Sequence, residues 1–167
     1  MDNIILTGFM GTGKSTVGRL LAARLGGVFV DTDALIEERD GRLIADIFAQ
    51  DGEAVFRQME TAVAQELAER RGLIVATGGR LMLDPMNAAA LGAHGRIFCL
   101  AATPEEILAR VIGNGIRPLL NVPDPAARIG QLLAERQAGY SQFKQIQTDG
   151  KTADQVAEEI VQCLSTM

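Results

Sequence analysis

Gly8-Phe9-Met10-Gly11-Thr12-Gly13-Lys14-Ser15 decides the fold of this chain. The octet fits G-x-x-x-x-G-K-[ST], the phosphate-binding loop, and its flanks fit as well. An apolar run, Ile4-Ile5-Leu6, precedes it. A helical pattern follows, with Val17, Leu20, Leu21 and Leu25 at helical spacing until Gly26-Gly27 stops it. A chance match to the motif requires neither flank. Lys14 is one of only three lysines, against thirteen arginines, so lysine is not background here. The glycines let backbone N–H groups converge on a polyphosphate. Lys14 then reaches the outer phosphates, and the Ser15 hydroxyl is placed to hold Mg²⁺. The following helix points its positive end at the same anion. The stretch implies binding of a nucleoside triphosphate and leaves open where the phosphate goes.

The remaining composition narrows the class. The 167 residues suit one domain with one sizeable core, residues 1–167. A net charge of −5 argues against nucleic-acid or anionic-membrane binding through bulk charge, although it permits a local cationic site. No apolar run is long enough to span a bilayer and no signal-peptide pattern opens the chain, so it reads as cytoplasmic. Cys99 and Cys163 are too few for a disulfide framework and match no zinc spacing; they read as buried small hydrophobes. His94, the one histidine, sits in a Gly-Ala-His-Gly turn and reads as a surface residue. No His/Cys/Asp cluster suggests a transition metal.

Strand-like runs alternate with helical patterns. The predicted strands are 3–6, 28–30, 73–76, 97–100 and 145–147. The predicted helices are 14–25, 34–39, 43–50, 53–70, 85–91, 104–111, 125–138 and 153–164. Apolar rather than alternating strands indicate a sheet covered on both faces, hence a parallel α/β architecture. Residues 113–125 break this rhythm with glycines at the base, several prolines and Arg117, the composition of a lid.

Ligands of open α/β sheets bind at the carboxyl ends of the strands. The second strand ends in Asp31-Thr32-Asp33 and the third in Thr77-Gly78-Gly79-Arg80. Asp31 and Asp33 read as a magnesium-side carboxylate and a group on the acceptor hydroxyl, because phosphoryl transfer is mostly positioning and charge stabilisation. The competing reading is a helix N-cap supplied by Asp33 or Thr32. On the helix starting near Glu53, Glu60 lies three residues beyond Arg57, on the same side, and is placed to hold it. Arg57 and Arg136 each offer a planar fork suited to a carboxylate.

Taken in order, these pieces resemble the shikimate kinase family over essentially the whole chain. The matching elements are the phosphate loop through Thr16, Asp31-Thr32-Asp33, Phe56-Arg57-x-x-Glu60, Ala76-Thr77-Gly78-Gly79, Arg117-Pro118-Leu119-Leu120, and Arg136 four residues before Tyr140. The resemblance implies a three-layer P-loop fold with a five-stranded parallel sheet in the order 2-3-1-4-5 and a mobile lid at about 113–125. It implies transfer of the ATP γ-phosphate to the 3-hydroxyl of shikimate. ATP would be bound by Gly11, Thr12, Gly13, Lys14, Ser15 and Thr16, with Arg110 against adenine and Arg117 on the transferring group. Ser15 would bind Mg²⁺ directly and Asp31 through water. Asp33 would orient the acceptor hydroxyl, and Arg57, Gly78, Gly79 and Arg136 would hold shikimate, within an acceptor-binding part spanning about 33–60. The family further suggests a monomer.

Two positions depart from the pattern. Arg80 stands where the family usually has a third glycine, and the proline often found between Arg136 and Tyr140 is missing. An arginine at position 80 clashes with the ring, turns to solvent, or adds a cation for a more acidic substrate. The last outcome fits a same-fold kinase with another hydroxy-acid acceptor. A relative that binds nucleotide without efficient catalysis is the reading from a different class.

Overall fold

The structure, a computed structural model, describes residues 1–113 and 120–166. The elements run β1 (Asn3–Gly8), α1 (Lys14–Leu25), β2 (Val28–Asp31), α2 (Thr32–Asp40), α3 (Ile44–Asp51), α4 (Glu53–Ala68) and β3 (Leu73–Ala76). A 3₁₀ turn (Leu81–Leu83) follows, then α5 (Pro85–Gly92), β4 (Gly95–Ala101), α6 (Pro104–Gly113), α7 (Pro125–Tyr140), β5 (Lys144–Gln147) and α8 (Ala153–Ser165). The five strands form one parallel sheet in the order β2-β3-β1-β4-β5, as the resemblance implies.

Strand burial explains the apolar runs. All six residues of β1 and all four of β3 are buried. Ile4, Leu6, Ile74 and Leu100 face one layer, where they pack with Val17 and Leu21 of α1 and Val156 and Ile160 of α8. Ile5, Leu73 and Val75 face the other, against Val63 and Leu67 of α4 and Leu91 of α5. Each such side chain, taken wholly out of water, stabilises the fold by roughly 1.5–3 kcal/mol. The edge strands are different. In β5 only Ile146 is buried, and β2 is half-exposed.

The register places the functional loops. Ile4 pairs with Ile74 and Leu6 with Ala76, so β1 and β3 end side by side. The chain leaves β1 towards the α1 layer and leaves β3 towards the α5 layer. A crevice therefore opens between their carboxyl ends, where ligands of such sheets bind. Asn3 fixes the opposite end of this pair. Its side-chain amide donates to Arg70 O at 2.8 Å, and its Oδ1 accepts from Leu73 N at 3.0 Å.

Helix boundaries follow their caps. Asp84 and Asp124 each cap a helix whose first residue is proline, and Thr152 with Gln155 forms a capping box on α8. Helix α4 ends at Ala68, two residues before the predicted stop. The 3₁₀ turn after β3 has no counterpart in the sequence-based expectation. Cys99 is buried, and burial pushes its thiol up to about 11, consistent with an inert hydrophobe. His94 is exposed in its turn, as expected. No helix among the described residues is long and apolar enough to cross a membrane.

Candidate active site

The first loop is built by backbone conformation. Gly8 has φ +132°, and a Cβ there would run into the carbonyl of Leu100. Gly13, at φ +93°, precedes α1 with no side-chain cap. The N–H groups of the first turn of α1 thus lack an intrahelical partner, and the turn contains no acidic residue to compete for them. Lys14 Nζ donates to Gly8 O and Phe9 O, both at 2.8 Å, and Thr12 Oγ1 donates to Phe9 O at 2.7 Å. The lysine is thereby held over the mouth of the loop.

A cavity of about 550 Å³ extends from this loop along the strand ends. Gly11, Gly13, Lys14, Ser15, Thr16 and Arg110 line the loop side, and Asp31, Asp33, Thr77, Gly78 and Gly79 line the other. Met10, Ala34 and Glu37 complete the wall. Arg110 Nη1 donates to Gly11 O at 3.2 Å and to Thr148 Oγ1 at 3.0 Å, while its Nε meets Glu106 at 3.1 Å. The far end of the loop is thus tied to the connection after β5.

The Asp31-Thr32-Asp33 triplet at the end of β2 divides its work. Asp31, at φ −105° and ψ 121°, is the N-cap of α2, so the cap is neither Asp33 nor Thr32 as the competing sequence reading had it. Asp31 Oδ1 accepts from Asp33 N and Ala34 N, and Oδ2 accepts from Ser15 Oγ at 2.7 Å. One carboxylate therefore caps a helix and touches the phosphate-loop serine. This donor set fits a hard cation, because Ser15 Oγ and Asp31 Oδ2 are both oxygen ligands at a polyphosphate site and Mg²⁺ keeps most of its waters. Thr32 is fully buried, and its hydroxyl accepts from Gly78 N at 2.9 Å, which ties α2 to the loop after β3. Asp33 faces the cavity.

Gly78 and Gly79 are the meeting point of the acceptor side. A Cβ on Gly78 would lie 2.6 Å from Asp33 Oδ1 and 3.0 Å from Glu60 Oε1, and one on Gly79 would lie 3.3 Å from Arg136 Nη1. Close approach of functional side chains, rather than positive φ, favours glycine here, because a Cβ would displace Asp33 or Arg136. The Tyr140 hydroxyl donates to Gly79 O. Arg136 lies over the Phe9 ring at 5.2 Å, and Arg57 lies near both Phe56 (5.3 Å) and Phe48 (5.8 Å). Arg57 Nη1 donates to Glu60 Oε2 at 2.7 Å. Glu60, from α4, and Arg136, from α7, therefore converge on one dipeptide.

Burial opposes charge in this region, and ion pairing offsets it. Glu60 is 2% exposed, and burial raises its pKa from the ordinary carboxylate value. Arg57 opposes that shift and the charge of Asp33 adds to it. Burial works to lower the Arg57 pKa, but Glu60 and Glu53 outweigh it and the net direction is up. Tyr140 is also pushed up by burial, so it stays a neutral donor.

Arg80 has φ −110°, so no left-handed glycine conformation is lost at that position. Its side chain is half-exposed and meets Glu53 at 3.2 Å. It is half in solvent and paired with the carboxylate that also meets Arg57. Arg117 and the core of the expected lid, residues 114–119, lie outside the described residues. Sequence reasoning missed Glu53, Thr32, and the aromatic plates Phe9 and Phe48. Phe9 was in view inside the phosphate loop, but nothing local connects it with a residue of α7.

A shikimate kinase family model matches residues 10–165. The shikimate kinase of Caldanaerobacter subterraneus subsp. tengcongensis is 44% identical over 163 residues, covering 96% of this chain and 95% of the relative. That of Symbiobacterium thermophilum is 44% identical over 166 residues, covering 97% and 95%. Among solved structures, the shikimate kinase from Acinetobacter baumannii in complex with shikimate superposes with a TM-score of 0.93 at 38% identity, covering 99% of this chain and 94% of that one.

Proposed function

The chain belongs to the shikimate kinase family, and on that premise we propose that it transfers the γ-phosphate of ATP to the 3-hydroxyl of shikimate, giving shikimate 3-phosphate and ADP. The observation that carries the reading is the crevice itself. A phosphate loop with its lysine in place opens onto Asp33 and the Gly78-Gly79 dipeptide, within one cavity. Two arginines held on separate helices flank the acceptor side, which suits a small hydroxy-acid with one carboxylate.

We assign the roles as follows. The N–H groups of Gly11, Thr12, Gly13, Lys14, Ser15 and Thr16 bind the phosphates, and Lys14 stabilises the charge that develops on the group in flight. Ser15 would hold Mg²⁺ directly and Asp31 would hold it through water, and the ion would neutralise phosphate charge. Asp33 accepts a hydrogen bond from the attacking hydroxyl and orients its lone pair towards phosphorus. Arg57 and Arg136 grip the acceptor carboxylate, with Glu60 and Phe9 fixing their planes. Gly78 and Gly79 let the ring approach the backbone. Arg110 lies along the adenine side, and Arg117 joins Lys14 on the transferring phosphoryl group.

A coupled ADP-release assay with MgATP tests this. Shikimate is expected to stimulate ADP release strongly over the no-acceptor rate. No stimulation, with ATP binding still detectable, would overturn the assignment of the acceptor and direct attention to other hydroxy-acids.

The carboxylate clamp makes a separate demand. Arg57→Ala and Arg136→Ala should each raise the shikimate KM about tenfold or more, because truncating one partner of a desolvated charge pair is costly. The ATP KM should move little. An unchanged shikimate KM in both variants would remove the clamp from the mechanism.

A further inference from the structure

The guanidinium of Arg57 is already occupied on two sides. Nη1 donates to Glu60 Oε2, while Nε and Nη2 both point at a single oxygen, Glu53 Oε1, at 3.3 and 3.1 Å. The Nε/Nη2 edge is one of the planar forks that grip a carboxylate with two parallel bonds. Glu53 thus holds a fork that the proposed clamp needs. The two glutamates differ in how firmly they are placed. The Glu60 side chain is 3% exposed and fixed by its surroundings, whereas that of Glu53 is 53% exposed at the first position of α4. Glu53 Oε1 also accepts from Arg80 Nη1 at 3.2 Å. Arg80 is the residue that replaces the family's usual third glycine.

We propose that Glu53 is a built-in competitor for the acceptor carboxylate. It occupies the Arg57 fork until the acceptor binds, and Arg80 then draws it aside. This rests on the reading of the protein as a kinase of a carboxylate-bearing acceptor. The exchange is like for like. The acceptor carboxylate replaces that of Glu53 on Arg57, so Arg57 is paired before and after. Glu53 keeps one cationic partner throughout, because Arg80 stays with it. Arg80 therefore acts through Glu53 as a positioning residue and lowers the cost of releasing the fork. An arginine at position 80 is useful in this chain because Glu53 stands beside it.

The test is a double-mutant cycle on steady-state turnover of MgATP and shikimate. Glu53→Gln keeps the shape and removes the charge, so it should lower the shikimate KM about two- to fivefold, the scale on which exposed ion pairs act. Both kcat and the ATP KM should stay within twofold. Arg80→Ala should raise the shikimate KM by a similar factor in the wild-type background and have no effect in the Glu53→Gln background, since coupled residues are non-additive. Arg80→Lys should restore the wild-type KM. A rise in shikimate KM on Glu53→Gln would overturn the proposal, because Glu53 would then be supporting Arg57 rather than competing with the acceptor. An equal effect of Arg80→Ala in both backgrounds would also overturn it, by showing that Arg80 meets the acceptor directly. Absence of shikimate-dependent turnover in the wild-type protein would overturn the reaction, and this inference with it. Turnover with an additive cycle would overturn this inference alone.

Discussion

Lys14→Ala should lower kcat for shikimate-dependent ADP release by about 10²- to 10³-fold, the usual cost of removing one preorganised charge from a transition state. The lysine is not needed to fold the chain. It opens α1, and the helix is anchored by Val17 and Leu21 in a core cluster shared with β1 and α8. Its ammonium bonds two carbonyls of its own loop, Gly8 O and Phe9 O. These contacts fix where the charge sits and leave it at the cavity wall. Phosphoryl transfer proceeds through a loose transition state with charge spread over the oxygens, so a point charge fixed in advance acts on kcat as well as on ATP binding. Circular dichroism and the thermal midpoint of the variant should match wild type. Near-normal turnover in a folded Lys14→Ala protein would refute the assignment of the phosphate loop.

How much of this was legible in the sequence depends on whether a feature is local. The β1–loop–α1 unit was readable because the apolar run, the glycines and the helical spacing are contiguous. The strands and helices of the described residues were readable for the same reason, with ends shifted by a residue or two. The two Asp-Pro helix starts were also local signals. The 3₁₀ turn after β3 was not, because it forms where the chain leaves the sheet towards α5, and its Leu81 and Met82 are placed by the core of that layer.

The site divides in the same way. Asp31, Asp33, Arg57 and the paired glycines were legible as chemical types at the ends of strands or on one helix face. Their detailed roles were not. The sequence offered Asp33 or Thr32 as the cap of α2, and the extended backbone and side-chain bonds of Asp31 give the cap to Asp31 instead. Thr32 meets Gly78 across 46 residues of sequence, and Arg136 meets Phe9 from the far half of the chain, separations at which no spacing rule operates. Arg80 looked like a departure that endangered the acceptor site. Its effect is decided by Glu53, a residue that reads in sequence as one more exposed acid on a helix.

Asp33→Asn should lower kcat by about 10²-fold or more, within the range by which a positioned acid or base contributes to catalysis. The substitution is close to isosteric, which matters because the side chain is tightly placed. Asp33 Oδ1 lies within 2.6 Å of where a Cβ on Gly78 would stand, so a larger change would disturb the glycine loop. Asparagine retains a carbonyl oxygen but replaces the other oxygen with a donor, and it carries no charge. It can no longer draw a proton from the attacking hydroxyl. The neighbouring Glu60 cannot substitute, because it is buried and its carboxylate is engaged by Arg57. Asp31 cannot either, since both its oxygens are committed to Ser15 and to the first turn of α2. The loss should therefore appear in kcat, with the shikimate KM changed only a few-fold and nucleotide affinity unchanged in a fluorescent-nucleotide titration. A loss confined to KM would show that Asp33 only binds the acceptor. In that case the hydroxyl would attack without a carboxylate acting as base, and the acceleration would come from positioning and from charge stabilisation on the transferring group by Lys14 and its cationic partners.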